Sequence, residues 1–551
     1  MKKIIGIDLG TTTSGVSIVE QGKVTLIEDS NGNKLIDSVV SVNQFGDIIV
    51  GNEAKNSLRD KVIEVKRKMG THNTFNLGDK EYSPEEISAE ILKKMKVIAE
   101  NYIGENIDEA IITVPAQFNS FQKMATLKAG ELAGLKVERI VTEPTAAALA
   151  YGIDKLENEE KILVYDFGGG TFDVSILDFE YGIMDVIAGD GDNFLGGKNI
   201  DDLLIKHVCH IENINIKEDY KIKNLLKNAV EQVKIDLSKL NEARIIVPEL
   251  NINLSITKKE FEEMIDCFVE KTFVCIDNAL KNANLTDEEI KVVLPVGGTS
   301  NIPYIQNKLI DRFGDKVFIF DNLQEIVAIG AGIQGGIKSG EISHETGIML
   351  TDICSHNLGI ACMGEYQGIM MPGMFSPILK KHSPLPAKGK NIYFTINDNQ
   401  SEVTMQIYEG NGELSKENIF IGEMEIIDLP SLPAGQCQIE VEFDYDLNGI
   451  LKVNAKILNN ERVFNGEFQP HERLQGVNNN NDNNIGHTNS KYYDDFKVTI
   501  DLAERKLKNV ENDQKNNIES LLIKLKEELI NENLENLNKI DDKLTDILFS
   551  I

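Results

Sequence analysis

The sequence predicts an α/β unit followed by a β domain and a short helical end. Residues 1 to about 340 alternate β-branched runs with helical patterns, which is typical of α/β proteins. Residues 358–467 instead alternate apolar and polar positions between turn residues, as half-buried strands do. From about residue 490 onward, leucines recur at helical spacing among charged residues. A chain of 551 residues is long enough to form these several domains.

Charge and cysteine usage exclude several kinds of partner. Lys and Arg number 57 and Asp and Glu number 88, which leaves a net charge of −31. Nucleic acids and anionic membranes require basic surface, so we expect neither as a partner. The six cysteines include no C-x-x-C pair, which favours a reducing compartment. Asp8 interrupts the apolar start too early for a signal peptide, and no run is long enough to span a bilayer, so we expect a cytoplasmic protein.

The α/β unit carries one strand–turn–strand pattern twice. In I-G-I-D-L-G-T-T-T-S-G-V-S-I, residues 5–18, an apolar run ends in an Asp and a Gly-Thr turn leads to a second run. The same order recurs in V-Y-D-F-G-G-G-T-F-D-V-S-I-L, residues 164–177. A third glycine turn, G-G-T-S at 297–300, follows another apolar run. The repetition suggests an internal duplication with two facing lobes.

These turns have the composition of a phosphate site. Glycine lets the backbone approach a ligand closely, and successive N–H groups form an anion-binding nest to which threonine hydroxyls add donors. Asp8 and Asp166 would repel a phosphate unless a cation intervenes, so the sequence predicts Mg²⁺ held through its water shell. Two such nests on two lobes are predicted to grip the β- and γ-phosphates of a nucleotide.

Two other phosphate-binding motifs do not fit. The spacing from Gly10 to Gly15 matches the first half of a P-loop, but Val16-Ser17 stands where Lys and Ser or Thr are required. No G-x-G-x-x-G follows a strand, as a dinucleotide fold requires. Most Gly-rich hairpins are only tight turns, so the repeated Asp–Gly–Thr order carries more weight than either turn alone.

Three further segments mark the organisation of the chain. Ile348-Met-Leu-Thr-Asp352 fits an ordinary buried strand and fits equally a segment that docks and undocks, and its periodicity does not separate the two. Asn448-Gly449 lies between two alternating runs and predicts a hairpin. Residues 476–489, rich in Asn, cannot bury a core and predict a flexible connector.

Taken together, these motifs resemble the actin-like ATPase superfamily and, more narrowly, the DnaK-type heat-shock protein 70 chaperones. The stretches that carry the resemblance are I-D-L-G-T-T at 7–12, V-P-A-Q-F-N at 114–119, E-P-T-A-A-A-L-A-Y-G at 143–152, D-F-G-G-G-T-F-D-V at 166–174, L-G-G at 195–197, V-G-G at 296–298 and D-N-Q-S at 398–401. T-D-I-C at 351–354 and F-S-P-I at 375–378 look most like the short bacterial HscC-type paralogue. The likeness runs from residue 4 to about 467 and is weak in the last helices.

The resemblance implies five parts of the chain. They are a two-lobed actin-like ATPase domain over 1–343, an interdomain linker over 344–357, a β-sandwich peptide-binding domain over 358–470, a flexible connector over 471–490 and a short helical lid over 491–551.

The resemblance also implies ATP hydrolysis, with ATP/ADP and Mg²⁺ as cofactors and K⁺ as a further candidate. Lys66 matches the family's catalytic lysine, whose ammonium lies by the γ-phosphate and the attacking water. Without the resemblance, Lys66 would be taken for a solvated lysine. The other catalytic positions implied are Asp8, Glu143, Thr171 and Asp173, and the metal positions are Asp8 and Asp166, acting through water.

Further positions are implied for nucleotide binding. For the phosphates they are Gly10, Thr11, Thr12, Thr13, Gly168, Gly169, Gly170 and Thr171, and for the adenosine they are Glu231, Lys234, Ser238, Gly297, Gly298, Thr299 and Asn301. Glu231, Lys234 and Ser238, at i, i+3 and i+7, are predicted on one helix face. Asn301 stands where the family usually has an Arg stacked on adenine, and Gln324 replaces a usual Asp. These changes predict about tenfold weaker nucleotide binding and less need for an exchange factor.

The β domain is implied to hold an extended apolar peptide by strand-like recognition. The implied cleft positions are Ile360, Met363, Tyr393, Ile396 and Val403, which would otherwise be ordinary core residues. The positions implied to couple the two domains are Pro115, Lys123, Leu350 and Asp352. Lys123 replaces an Arg that relays the linker signal, and Thr351 interrupts the linker's leucine run, so we expect weaker docking.

We therefore expect an ATP-dependent chaperone that binds exposed apolar segments of unfolded clients. The partners implied are those clients, a J-domain co-chaperone and, as a further candidate, a nucleotide-exchange factor. A weakly hydrolysing or dedicated holdase of the same family is the alternative. A sugar or acetate kinase or an actin-like filament protein would share the phosphate turns but would not need the β domain and linker.

Overall fold

The computed structural model describes residues 2–57, 59–152, 160–180, 182–212, 214, 220–342, 349–366, 368–447, 449–468, 490, 492–507 and 512–550. Three sequence predictions fall wholly or partly on other residues. The connector over 471–490 lies outside the described residues except for Ser490, and Ile348 of the linker and Asn448 of the predicted hairpin also lie outside them.

The strands are given first, in chain order. They are β1 Ile4–Leu9, β2 Thr13–Glu20, β3 Lys23–Leu26, β4 Leu35–Asp37, β5 Val40–Val42, β6 Ile48–Val50, β7 Lys61–Val62, β8 Phe75–Leu77, β9 Lys80–Tyr82, β10 Glu109–Val114, β11 Lys136–Thr142, β12 Glu160–Phe167, β13 Phe172–Glu180, β14 Ile183–Asp192, β15 Glu242–Val247, β16 Ile252–Thr257, β17 Val292–Val296, β18 Met349–Thr351, β19 Asn357–Tyr366, β20 Ile369–Leu379, β21 Ala387–Phe394, β22 Glu402–Gly410, β23 Ile419–Ile427, β24 Gln438–Tyr445, β25 Leu451–Ile457 and β26 Arg462–Phe468.

The helices follow. They are α1 Asn52–Lys55, α2 Pro84–Ile103, α3 Ser120–Leu132, α4 Glu143–Tyr151, α5 Gly197–Glu212, α6 Tyr220–Leu237, α7 Lys258–Ala283, α8 Pro303–Phe313, α9 Ile326–Ser339, α10 Tyr493–Lys506, α11 Asn512–Ile530 and α12 Leu534–Ser550. Local sequence sets several of these ends. Ser83 and Glu86 form a capping box at the start of α2, which ends at Gly104 in the left-handed conformation.

Two mixed sheets form the α/β part. The first has the order β11-β10-β1-β2-β3 with β4 beside β2, and the second has the order β17-β12-β13-β14-β18. The two predicted strand–turn–strand units are present as antiparallel pairs, β1 with β2 and β12 with β13. β12 is buried along nearly its whole length, which explains its almost continuous apolar run.

Helices α4 and α9 pack between the two sheets. Helix α9 contacts β1 and β2 of the first sheet, α4 contacts β12 of the second, and the helices contact each other. A Cβ on Gly330 of α9 would lie 1.7 Å from the carbonyl oxygen of Ala146 in α4, so only glycine permits this approach. This close packing fixes the distance between the two glycine turns.

The β domain contains two four-stranded antiparallel sheets. Their orders are β20-β19-β22-β23 and β21-β24-β25-β26, and both sheets contribute to one hydrophobic core. The predicted hairpin is present: β24 pairs with β25, and Gly449 follows the turn at φ 84°. β24 alternates buried and partly exposed positions, as its sequence predicts.

Helices α10 to α12 form the helical end and have an apolar core of their own. Helix α10 also packs against α5 and α7 of the α/β part. Lys497 Nζ lies 2.8 Å from Asp192 Oδ2 and 3.7 Å from Asp501 Oδ2, and its side chain is only 4% exposed. Val498 belongs to the hydrophobic core around the second sheet. The order of α/β, β and α parts agrees with the sequence prediction.

Candidate functional site

The two predicted phosphate turns meet face to face. A Cβ on Gly169 would lie 2.4 Å from Thr12 Cγ2, and a Cβ on Gly170 would lie 2.5 Å from Thr11 Cγ2. The turns can approach this closely only because the second consists of glycines. Gly10, Thr13 and Gly168 complete the two turns: Ser38 donates to the carbonyl oxygen of Gly10, and the N–H of Gly168 donates to the carbonyl of Thr171.

Buried carboxylates line the space beside these turns. Burial raises the pKa of Asp8 to about 6, and the nearby Glu143 adds to the shift. Burial, with Glu143, Asp173 and Asp8 around it, places the pKa of Asp166 well above its ordinary range. Burial likewise raises the pKa of Asp173 to about 8, with Glu143 contributing. The cluster therefore concentrates negative charge where it is poorly solvated, an arrangement typical of functional sites.

Lys66 supplies the opposite charge. It lies on a 3₁₀ turn over Val65–Lys68, is 4% exposed and donates to Glu143 Oε1. Its ammonium also lies 6.0 Å from the centroid of the Phe118 ring. Among the described residues, Glu143 is the carboxylate that accepts from this lysine, so the ammonium can also bind an incoming phosphate. The sequence around Lys66 does not indicate that the side chain is buried.

The carboxylates fit a divalent cation. Asp166 Oδ2 is buried and accepts no hydrogen bond from the described residues, although Asp8 Oδ1 accepts one from Thr113 at 2.8 Å. A buried carboxylate oxygen without a partner is costly unless a cation compensates it. Among the described residues, no group of three or more His, Cys, Asp and Glu side chains could hold a metal directly. The donor set thus suits an ion that keeps most of its water ligands, as Mg²⁺ does.

The residues implied for the adenosine gather around the start of α5. A Cβ on Gly197 would lie 2.7 Å from Thr299 Oγ1 and 3.3 Å from Lys234 Nζ. Thr299 Oγ1 donates to the carbonyl of Gly168 at 2.7 Å, which ties this side to the second phosphate turn. Lys234 Nζ also lies 2.7 Å from Asp201 Oδ1, a partner that the sequence does not indicate.

The remaining adenosine positions lie close by. Glu231 and Lys234 share helix α6, and Ser238 follows its end and donates to the carbonyl of Lys234. Gly297 approaches Asp166, with 2.7 Å between its would-be Cβ and Asp166 Oδ1, and it has φ 83°. Asn301 is exposed and donates to the carbonyl of Gly298 at 3.2 Å. A Cβ on Gly298 would lie 2.7 Å from Gln324 Nε2, so Gln324 borders this turn.

The linker is docked on the second sheet. β18 pairs in parallel with β14, with Leu350 opposite Met184, and Thr351 Oγ1 donates to Asp185 Oδ1 at 2.5 Å. Thr351, which interrupts the leucine run, therefore has a polar partner in this docked arrangement, and the weaker docking that we expect stays a prediction. Asp352 is partly buried, and desolvation raises its pKa although Lys123 and Arg139 oppose the shift.

Two hydrogen bonds that the sequence does not predict connect Ser355 of the predicted linker with Asp173 of the carboxylate cluster through the turn after β10. Ser355 Oγ donates to the carbonyl of Ala116 at 2.8 Å, and the next residue's N–H, that of Gln117, donates to Asp173 Oδ1 at 3.2 Å. Pro115 begins this turn and accepts from the N–H of Phe118. The turn after β10 thus contacts Ser355 on one side and Asp173, a predicted catalytic position, on the other.

A second unpredicted contact is the buried pair of Ser120 and Glu409. The N–H of Ser120 lies 3.0 Å from Glu409 Oε2, and the Ser120 hydroxyl donates to the same oxygen. His356 Nδ1 lies 3.6 Å from Glu409 Oε1. Burial alone would raise the pKa of Glu409, but His356 and Ser120 outweigh it and hold that pKa below its usual range. No local sequence signal could have found a pair 289 residues apart.

The implied peptide positions divide into two groups. Ile360 is buried in the β-domain core, and Tyr393 and Val403 pack partly buried against it. Met363 and Ile396 are exposed, at 37% and 58%. Sequence reasoning named Tyr393 on β21 but not Ile392 and Phe394, which flank it and are exposed. The hydroxyls of Tyr393 and Ser376 are 2.9 Å apart and join β21 to β20.

Fold and site together define an α/β protein with two facing glycine turns and a cluster of carboxylates with one buried lysine, joined to a β domain that exposes apolar side chains. The family model described as "Hsp70 protein" matches residues 4–77 and 71–549. The "Chaperone protein DnaK" of Mycoplasma mobile is 42% identical over 471 residues, which cover 82% of this chain and 76% of that protein.

The chain belongs to the Hsp70 family. As a member, it is an ATP-dependent molecular chaperone and an ATPase. The predicted family, function and enzyme class are therefore confirmed, whereas the HscC-type assignment stays a prediction. Within the part of the chain that the structure describes, no helix is both long and apolar enough to cross a membrane.

Proposed function

We propose that ATP and peptide bind to separate parts of this chain and control each other through the docked linker. The proposed parts are an actin-like two-lobed ATPase domain over 1–343, the linker over 344–357, the β-sandwich over 358–470 and, after the connector, a lid over 491–551. The observation that carries the proposal is the path from Ser355 through Ala116 and Gln117 to Asp173. Because Ser355 and Asp173 bind the two sides of one peptide unit, the carbonyl of Ala116 and the N–H of Gln117, we expect undocking of the linker to change the surroundings of Asp173.

In the proposed ATPase site, the facing turns bind the phosphates through backbone N–H groups and the hydroxyls of Thr11 and Thr171. Lys66 stabilises the negative charge that develops on the γ-phosphate, and Glu143 holds Lys66 in place. Asp173 orients the attacking water. Asp8 and Asp166 hold Mg²⁺ through water, and the ion, when bound, neutralises phosphate charge. K⁺ is a further candidate cofactor.

The adenosine is proposed to lie among Glu231, Lys234, Ser238, Gly297, Gly298 and Thr299. Asn301 donates to its own turn rather than stacking on a base, so nucleotide binding is weaker than with an arginine there. A weakly held ADP leaves on its own more readily, and an exchange factor is then less needed. The same loss supports the alternative role, a weakly hydrolysing or dedicated holdase.

The proposed clients are apolar segments of unfolded chains. Met363, Ile396, Ile392 and Phe394 are large apolar side chains that the β domain leaves exposed, and exposed apolar side chains that cluster mark binding sites. Strand-like binding of an extended peptide fits two open antiparallel sheets. A J-domain co-chaperone, a cytoplasmic location and the HscC-type subfamily are proposed from the resemblance alone.

Single-turnover ATP hydrolysis with Mg²⁺, with and without an unfolded apolar peptide, tests the proposal. We expect peptide to accelerate hydrolysis, because coupling between two binding sites is reciprocal. Lys66→Ala removes the buried ammonium, and we expect a loss of about 10²-fold or more. Lys68→Ala, on the same turn, is the matched control. A hydrolysis rate that does not change when peptide is added would favour the holdase. A wild-type hydrolysis rate in Lys66→Ala would refute the catalytic role proposed for Lys66.

A further inference from the structure

The turn that carries Lys66 begins at an unusual residue, Glu64. Its backbone is left-handed, with φ 57° and ψ 28°, a conformation that glycine and asparagine adopt far more easily than glutamate. Local backbone preference therefore does not explain a glutamate here. A strained residue persists only when its surroundings hold it, so the contacts of the side chain need an explanation.

The Glu64 carboxylate is held by two lysines from the part of the chain that carries the second sheet. Lys227 of α6 donates to Oε1, and Lys198 Nζ of α5 lies 3.4 Å from Oε2. All three side chains are largely buried, with exposures of 11% for Glu64, 18% for Lys198 and 22% for Lys227. The turn itself follows β7 and packs in the core of the first sheet. The ion pairs thus cross the cleft between the two halves of the ATPase part.

One of these lysines, Lys198, also contacts the second phosphate turn. The backbone N–H of Lys198 donates to the carbonyl of Gly169 at 2.8 Å. From the same 3₁₀ turn as Lys66, Arg67 donates through Nε and Nη2 to the carbonyl of Gly170 and through Nη2 to Asn199 Oδ1. Both ends of the Lys66 turn are therefore fastened to residues that hold the glycines 168–170.

We propose that Glu64 is a positioning residue for hydrolysis: its ion pairs with Lys198 and Lys227 hold the Lys66 turn in register with the second phosphate turn. Among the described residues, the Lys66 side chain donates one hydrogen bond, to Glu143, and its ammonium lies 6.0 Å from the centroid of the Phe118 ring. A catalytic group displaced by about an ångström loses much of its effect, so the anchor acts on the chemical step. This inference rests on the proposed role of Lys66.

The test compares Glu64→Gln and Glu64→Asn with the wild-type chain. Glutamine keeps the shape and removes the charge, and asparagine also removes the charge but accepts the left-handed backbone. Glu53→Gln, an exposed acidic residue on α1, is the matched control. We expect the single-turnover hydrolysis rate to fall about tenfold in both variants, with ATP affinity from calorimetry changed less than about threefold. Melting temperatures check folding.

A charge exchange separates positioning from a merely structural role. The double variant Glu64→Lys with Lys227→Glu restores an ion pair across the cleft, and we expect it to recover hydrolysis relative to either single variant. Two outcomes would overturn the inference. One is a wild-type hydrolysis rate in Glu64→Gln, and the other is a decrease in hydrolysis rate that is fully accounted for by weaker ATP binding or a lower melting temperature. If Lys66→Ala also hydrolyses ATP at the wild-type rate, the catalytic role proposed for Lys66 is refuted. If the Glu64 variants hydrolyse ATP at the wild-type rate but Lys66→Ala does not, only the inference about Glu64 is refuted.

Discussion

Replacing Glu409 by glutamine is expected to loosen the contact between the β domain and the ATPase part. The carboxylate is 2% exposed and accepts from both the N–H and the hydroxyl of Ser120, with His356 3.6 Å away. Hydrogen bonds to a charged group contribute about 1.5–3 kcal/mol each. The amide keeps one acceptor oxygen, so we expect a loss of about 2 kcal/mol, which shifts the docked-to-undocked ratio about 30-fold.

The chain contains no tryptophan, which makes a single introduced indole a specific reporter of docking. Phe121 of α3 is 8% exposed and packs into the β-domain core, so Phe121→Trp is buried when the domains are docked. The indole emission in the presence of ATP is compared between Phe121→Trp alone and Phe121→Trp combined with Glu409→Gln or with Glu402→Gln. The difference in emission reports the change in the docked fraction. Glu402 lies exposed on the same strand and serves as the control.

The same carboxylate gives docking a pH dependence. Because the pKa of Glu409 is held below its ordinary value, its contribution is fully present above that value and is lost as the pH falls through the lowered pKa. We expect the docked fraction of the parent chain to fall as the pH is lowered below about 5. In Glu409→Gln, which has no carboxyl group to titrate at this position, we expect that fall to be absent. Equal docking of the variant and its parent at neutral pH would refute the reasoning.

Two further predictions concern nucleotide affinity and the helical end. Asn301→Arg is expected to tighten ADP binding about tenfold by restoring a cation over the base, and calorimetry that finds no change would contradict this. Lys497→Ala removes the ion-pair partner of the partly exposed Asp192 and leaves the buried Asp501 with Lys271, so we expect the packing of α10 to weaken by about 1.5–3 kcal/mol. Faster amide exchange in α10, absent from the exposed Lys524→Ala control, is the expected signature.

Local patterns predict the parts of the site that are built from consecutive residues. The glycine turns, the carboxylates at the ends of β1 and β12 and the three-part order of the chain all follow from composition and spacing. The role of Lys66 does not, because its partner Glu143 lies 77 residues away and nothing near Lys66 indicates burial. Only the resemblance assigned it.

Partnerships across the fold could not be predicted for the same reason. Ser120 with Glu409 and Glu64 with Lys227 are ordinary polar residues in sequence, and their meaning depends on which surfaces the fold brings together. The peptide-cleft role that the resemblance implies for Ile360 stays a prediction. Its side chain is buried in the β-domain core, while Ile392 and Phe394 are exposed on β21 of the other sheet.

The docked linker also protects a sheet edge. β18 is the outermost strand of the second sheet and covers only residues 183–185 of the ten-residue β14. When the linker leaves, the rest of β14 becomes a longer row of unpaired backbone groups, the kind of edge at which chains aggregate. Asp185, Asp190 and Asp192 place charge along that edge, and Gly189 and Gly191 weaken it as a strand. If the linker is released as we propose, these residues leave an edge that is poorly suited to pairing with a second chain.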